Sequence, residues 1–409
     1  MKLLNKLYKL NRSLVSDDNE TALNLINEYI PLQIHKYKSD TQCFDWKIPK
    51  KWKVNKGILK DSTGKIILDS DNNILHLINY SNSFKGKISK NNLINHLHYD
   101  KNLPNAIPYR TSYYSNNWGF CISYNQFKEL NDTIYYIDID TEFIEGELLI
   151  GEAVLKGKSD KEIILTSYYC HPNQINDGLS GVILLTKLYN KLRVLDLKYT
   201  YRFFFWPETI GCLTALSQKL IRPENVEYAL ISTTVGKGDP YYKRTYLKNH
   251  SIDNIIEDIV KNIRNYIPTG SDERQLSSQN IRIPTGVLTT IPYEEFDEYH
   301  TSEDNLDFIC IDTINNMVDL YLKILIKYEK YSKYKLSIDG GEPFLSKYNL
   351  YRKIGIPGNS NEEVIRNWIL HYCDGTKNSI DMSKLINVNE NKIIEYIKLF
   401  EQNNIIWKV

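Results

Sequence analysis

One continuous stretch, Lys161–Lys187 (KEIILTSYYCHPNQINDGLSGVILLTK), constrains the fold of this chain more than any other. It opens with the apolar run Ile163-Ile164-Leu165, which reads as a buried strand. It closes with Leu179–Leu188, apolar at helical spacing. Between them lies a polar loop holding His171, Pro172, Asn173, Asn176, Asp177 and Gly178. A strand that runs through a loop into a helix is a building unit of α/β sheets, and open sheets of this class gather their chemistry at such strand ends. Gly178 and Gly181 let the backbone bend and pack closely. Imidazole and carboxylate are donor types of a hydrolytic zinc site. His171 and Asp177 would also suit a loop histidine and a helix cap.

The surrounding region, 141–335, continues the alternation. Strands are predicted at Leu148–Val154, Glu162–Tyr168, Tyr201–Trp206, Tyr228–Thr233 and Thr285–Thr290. Helices are predicted at Leu179–Leu192, Ile210–Lys219, Ile252–Tyr266 and Ile311–Tyr331. This is the pattern of an α/β sheet covered on both faces. Residues 1–40 read as two helices, the second ended by Pro31. Residues 41–140 change character, with frequent turn signals and short β-rich runs at Lys65–Leu68, Ile74–Asn79 and Thr133–Ile139. They predict a β-rich insert in a split α/β domain made of 1–40 and 141–345. Residues 346–409 predict helices at Glu362–Tyr372, Ile380–Leu385 and Glu390–Asn403 and a closing strand at Ile405–Val409, a winged-helix order.

Three further segments carry chemistry. Phe203-Phe-Phe-Trp-Pro-Glu208 ends an apolar strand in a carboxylate, Gly270–Gln275 is a polar loop with Asp272 and Arg274, and Tyr299–Asp307 opens on His300. A catalytic zinc takes about three protein ligands and keeps one position for water. His171, Asp177 and His300 can fill that shell, Glu208 can act as general base, and Asp304 or Asp307 can orient His300 through its second ring nitrogen. The aromatic stretch Pro108–Cys121 either lines a pocket or packs in the core; Tyr113 from it, and Arg274, are candidate substrate contacts. His96 and His98 lack a neighbouring acid and read as structural.

The net charge of +1 over 409 residues gives no strong field for nucleic acid. The helix within NENKIIEYIKLFEQNN mixes Lys392 and Lys398 with Glu390, Glu395 and Glu401, which favours protein contact over DNA reading. No apolar run approaches the roughly 20 residues of a membrane helix. Six dispersed cysteines without a CxxC pair read as reduced thiols, so a cytoplasmic protein is expected.

The stretches PLQIHKYKSDTQCFDWKIPKKW, IPYRTSYYSNNWGFC, YYCHPNQINDGLSG, FFWPETIG, GSDERQ and EYHTSEDNLDFI span nearly the whole chain. Together they resemble the zinc aminopeptidase and glutamate-carboxypeptidase clan, with its His…Asp…Glu…Asp…His order. More narrowly, they resemble the bacterial aminopeptidase-like family found among polysaccharide-biosynthesis genes. The resemblance implies a zinc-exopeptidase-like α/β domain, an inserted β domain and a C-terminal winged helix. It makes His171, Asp177 and His300 metal ligands, with Asp177 the bridging one in dinuclear members. Glu208 matches the first glutamate of the clan's Glu-Glu pair, the base; if the match slips by one residue, Glu208 is a ligand and the base is missing. Asp272 matches an element lining the substrate pocket. The second glutamate position is Thr209, and the middle aspartate falls among Thr233, Thr234 and Gly236, so one zinc is expected rather than two.

The expected function is zinc-dependent amide hydrolysis on a small aminoacyl, peptide or sugar-linked substrate, with a homo-oligomer left open. The alternatives are a non-catalytic scaffold on a peptidase fold, a winged-helix regulator, and a cysteine hydrolase using Cys170 beside His171.

Overall fold

The computed structural model describes residues 2–351 and 361–409. The chain forms two compact units, Met1–Tyr246 with Asn262–Leu322, and Leu247–Lys261 with Lys323–Val409.

An eight-stranded sheet organises the first unit. Its spatial order is Gln33–Lys38, Glu147–Leu155, Thr200–Trp206, Glu162–Tyr168, Val226–Ile231, Thr285–Thr289, Tyr241–Lys243 and Asn262–Arg264. The central four, from Thr200–Trp206 to Thr285–Thr289, run parallel. Their sequences contain few polar residues because both faces are covered: every residue of Thr200–Trp206 is buried. The sheet switches to antiparallel pairing outside this group, at Glu147–Leu155 and at Tyr241–Lys243. Glu162–Tyr168 therefore lies inside the sheet with parallel neighbours on both sides, and its carboxyl end opens into the loop that carries His171 and Asp177.

The helix Leu179–Leu192 follows that loop. Gly178, at φ 100°, turns the chain into it. Gly181 lets the helix sit against the strand Val226–Ile231: a Cβ there would stand 1.8 Å from the Ser232 carbonyl oxygen.

Strands Glu162–Tyr168 and Thr200–Trp206 and helices Leu179–Leu192 and Ile311–Lys330 agree with the sequence reading to within a residue. The helix expected over Ile252–Tyr266 stops at Glu257, and Asn262–Arg264 is an edge strand instead. Asn262–Arg264 pairs in parallel with Tyr241–Lys243, which requires extended backbone there. Gln33–Lys38, just past the Pro31 at which the second helix is expected to end, is the opposite edge strand.

The region expected to be β-rich, 41–140, holds a four-stranded antiparallel sheet in the order Ile66–Asp69, Lys51–Lys60, Ile134–Ile144, Phe84–Ser89, whose third strand runs four residues past that range. The β run expected at Ile74–Asn79 is a 3₁₀ turn, Ile74–His76, because the Asn73 side chain accepts the Leu75 N–H at 3.0 Å and closes a cap. His96 stacks on Trp118 with ring centroids 3.7 Å apart.

In the second unit, helices Asn361–His371, Ser379–Ile386 and Glu390–Gln402 and the strand Ile406–Lys408 appear in winged-helix order. Ile406–Lys408 pairs antiparallel with Tyr334–Leu336. Their core is Ile369, Leu370, Met382, Ile393, Ile397 and Phe400. The sequence reading placed Leu247–Lys261 and 323–345 with the α/β domain; the compact units group them with these C-terminal elements. Ser251 Oγ and Asn254 Nδ2 donate to the Asp381 carboxylate at 2.6 and 2.8 Å. Residues 352–360 of the expected winged-helix region lie outside the described residues.

Candidate functional site

The loop after Glu162–Tyr168 is held from several sides. The Arg12 guanidinium, fully buried, donates to the carbonyl oxygens of Leu7, Tyr169 and Gln174. Gln174 Nε2 donates to Thr301 O at 3.1 Å, and Gly236 N donates to Asn176 Oδ1 at 2.8 Å. Asp304 accepts two backbone N–H groups of the loop on its carboxylate, Asn176 at 2.6 Å and Asp177 at 2.9 Å. This corrects the expectation that Asp304 orients His300. Its oxygens hold the Asp177 loop instead, because a buried carboxylate takes the nearest free donors. Burial pushes the Asp304 carboxyl up to about 7, against the backbone N–H groups that favour its charge.

This scaffold brings three side chains to one point. His171 Nδ1 lies 3.2 Å from Asp177 Oδ2, and His300 Nε2 lies 3.0 Å from the same oxygen. One donor atom of each residue lies within 4.8 Å of the others. The separations are short, yet none of these three atoms makes a hydrogen bond of acceptable geometry, and all three are buried. His171 is lowered by burial but raised more strongly by the Asp177 charge, for a net rise; Asp177 is held well below the carboxylate range despite its burial, chiefly by His171. With the angles poor, we read that mutual shift as charge attraction rather than hydrogen bonding.

The other oxygen of Asp177 is spoken for. Tyr168 donates its hydroxyl to Asp177 Oδ1, and Thr233 Oγ1 donates to the Tyr168 oxygen at 3.1 Å. Burial, followed by the Asp177 charge, holds the Tyr168 phenol well above its ordinary value, so it stays a donor. Tyr168 was not singled out from sequence, where a strand tyrosine reads as core.

Glu208 stands beside this cluster. Its Oε1 accepts Ser271 Oγ at 2.6 Å, and its Oε2 lies 3.4 Å from His171 Nε2. The turn that presents it is strained: Thr209 has φ 61°, where a β-branched residue is an outlier. Asp272 stabilises this turn, accepting Thr209 N–H at 2.7 Å and Trp206 Nε1–H at 2.8 Å. Asp272 is 1% exposed with both oxygens spent, so its expected role as a substrate contact is corrected to one of support. Burial, then the Glu208 charge, raises its carboxyl. Tyr113 is likewise one step away: its hydroxyl lies 3.0 Å from that of Tyr109, and it is Tyr109 whose ring meets His171 and His300 edge-on at 5.5 and 5.2 Å. Arg274 does line the cavity beside Glu208, a space of about 590 Å³. Cys170 is buried, its thiol raised by burial to about 11, and it accepts the Glu208 N–H at 3.1 Å. A thiol enclosed in this way and held protonated by burial argues against the cysteine-hydrolase alternative.

A family profile described as "Domain of unknown function (DUF4910)" matches residues 1–331. The chain belongs to the DUF4910 family. A second profile, described as winged helix-turn-helix, matches residues 332–408. This DUF4910 chain is 37% identical over 391 residues to a Clostridium acetobutylicum protein named "Putative polysaccharide biosynthesis protein with aminopeptidase-like domain", covering 93% of the chain and 89% of that protein. Among solved structures, a "putative peptidase" of Clostridium acetobutylicum aligns at TM-score 0.81 and 33% identity, over 100% of this chain and 95% of that one. A zinc aminopeptidase from Bacillus subtilis aligns at TM-score 0.57 and 13% identity, over 81% of this chain and 94% of that one. At that identity the likeness speaks for fold alone, and the fold is aminopeptidase-like. No helix among the described residues is long and apolar enough to cross a membrane.

Proposed function

We propose that the chain is a zinc-dependent hydrolase that cleaves an amide in a small aminoacyl, peptide or sugar-linked compound. The observation that carries this reading is the convergence of His171 Nδ1, Asp177 Oδ2 and His300 Nε2, buried and without hydrogen-bond partners. A buried polar atom left unsatisfied costs about 1–3 kcal/mol, so three at one point call for a cation. Two imidazoles and a carboxylate are the donor set of a catalytic zinc with an open position. Ligand atoms in a tetrahedral zinc shell stand roughly 3.3 Å apart, close to the 3.0 and 3.2 Å found here. One ion suits the site better than two, because the Tyr168 hydroxyl already occupies Asp177 Oδ1.

When bound, zinc supplies Lewis acidity toward water and a carbonyl oxygen. Glu208 does the proton work. Ser271 fixes its Oε1, which leaves Oε2 facing the histidine cluster to take a proton from water and return it to the leaving amine. The name of the Clostridium acetobutylicum relative supports a sugar-linked amide among the substrates.

The test is metal analysis of purified protein together with Glu208→Gln. The variant is expected to keep its zinc and lose hydrolysis by roughly 10²–10⁴-fold. Loss of zinc as well would make Glu208 a ligand. Wild-type protein that holds no metal and turns over no aminoacyl or peptide amide in a broad panel would favour a non-catalytic scaffold.

A further inference from the structure

The cavity of about 590 Å³ beside Glu208 is contiguous with the reacting centre through Tyr299, which lines it and stacks on His300 at 4.0 Å. Most of its charge is cancelled internally. Lys243 donates to Glu273 at 2.8 Å and to Thr269 O at 2.6 Å, and Arg264 grips Glu295 through two nitrogens. Arg274 differs. Among the described residues no carboxylate lies within ion-pair distance of it, and its guanidinium reaches only Thr209 Oγ1, at 3.4 Å.

Two further donors on the same wall are unsatisfied. The hydroxyls of Tyr241 and Tyr293 are shielded from solvent and make no hydrogen bond. Tyr293 lies beside Ser271, which donates to Glu208, but no hydrogen bond of acceptable geometry joins the Tyr293 hydroxyl to it. Burial holds both phenols above their ordinary value, so both remain O–H donors. Of the other lining acids, Glu208 accepts from Ser271, and Glu294 is exposed and needs no partner beyond water. A guanidinium and two phenols with nothing to donate to are complementary to a group with several acceptor oxygens.

We propose that this cavity binds an anionic group, a carboxylate or a phosphate, on the substrate portion flanking the scissile amide, with Arg274, Tyr241 and Tyr293 as its donors. The inference rests on the hydrolase reading only for what lies next door. Thr209 joins the two sites: its backbone follows Glu208 and its hydroxyl meets Arg274, so an anion held by Arg274 sits one residue away from the base.

The test is calorimetric titration of the full chain with the α-amides of N-acetyl-L-glutamate, its neutral twin N-acetyl-L-glutamine, N-acetyl-L-lysine and N-acetyl-O-phospho-L-serine, so that the side chain carries each probe's only charge. An acidic probe is expected to bind about tenfold or more tightly than the glutamine twin, the scale of a charge-assisted hydrogen-bonded contact. Arg274→Gln, an exposed position whose variant can be checked by circular dichroism, should erase that preference. Tyr241→Phe and Tyr293→Phe should each weaken the acidic probe by a few-fold and leave the glutamine probe unchanged. Whichever of glutamate and phosphoserine binds tighter identifies the anion. Equal binding of the acid and its amide, preference for the lysine probe, absence of binding by every probe, or an acid preference that survives Arg274→Gln overturns the proposal. Repeating the titrations on chelator-treated protein separates the two readings: an acid preference that persists there stands even if the loaded protein hydrolyses nothing.

Discussion

Thr209 is where stability and chemistry meet most directly. Its φ of 61° costs about 1–3 kcal/mol for a β-branched residue, and the turn it forms aims Glu208. Thr209→Gly removes the strain. The expected outcome is a higher melting temperature, corresponding to about 1 kcal/mol, together with slower hydrolysis because the turn is no longer confined. A drop in melting temperature would mean that the lost Arg274 contact outweighs the strain. Single residues were readable from sequence when their type alone announces chemistry. His171, Asp177, Glu208 and His300 come together as their donor types suggested. Asp272, Asp304 and Tyr113 were assigned to the wrong neighbours, because a carboxylate or phenol in a loop serves equally well to hold backbone or to face a ligand. Only the hydrogen bonds tell the two apart.

Elements carry the next set of consequences. The helix Leu179–Leu192 can reach the sheet only because Gly181 has no side chain, so Gly181→Ala should displace the whole Asp177 loop. Overpacking of this kind costs roughly 1–3 kcal/mol or more, and a melting experiment alongside zinc titration should register both losses together. At the opposite edge, the strand Gln33–Lys38 is tied in by a charged cluster. Glu152 accepts Arg202 Nε at 2.7 Å and lies 2.8 Å from His35 Nε2, and Arg202 also reaches Glu162 at 3.0 Å. Burial raises the Glu152 carboxyl, but His35 and Arg202 outweigh it, so the folded value lies below the ordinary 4.5. Its contribution is therefore present above that value and is lost as pH falls through the folded one. Melting temperature should drop below about pH 4.5, and Glu152→Gln should flatten that drop while lowering stability at pH 7. The polar sequence of this edge strand explains why it was missed: edges carry lysines and half-exposed residues, and so lack an apolar run like the Ile163-Ile164-Leu165 that made Glu162–Tyr168 legible.

At the scale of the whole molecule, the family boundary at residue 331 does not coincide with a boundary of packing. Leu247–Lys261 belongs to the second unit, where Ile252, Ile255 and Ile256 are fully buried and Asp381 accepts from Ser251 and Asn254. A chain cut after residue 331 loses Asp381 and should melt lower and aggregate more readily than the full chain; light scattering during a thermal ramp checks this, and an unchanged profile would count against it. Sequence reading misses such an arrangement because periodicity describes segments one at a time, and nothing in Ser251–Glu257 names its distant partner. The same arrangement bears on synthesis. The helix leaves the ribosome about 120 residues ahead of Asp381, a delay of roughly 6–25 s at 5–20 residues per second. For that interval three isoleucines have no completed unit to cover them. The nascent chain should therefore be a client for a holding chaperone whose window closes only when the last helices emerge.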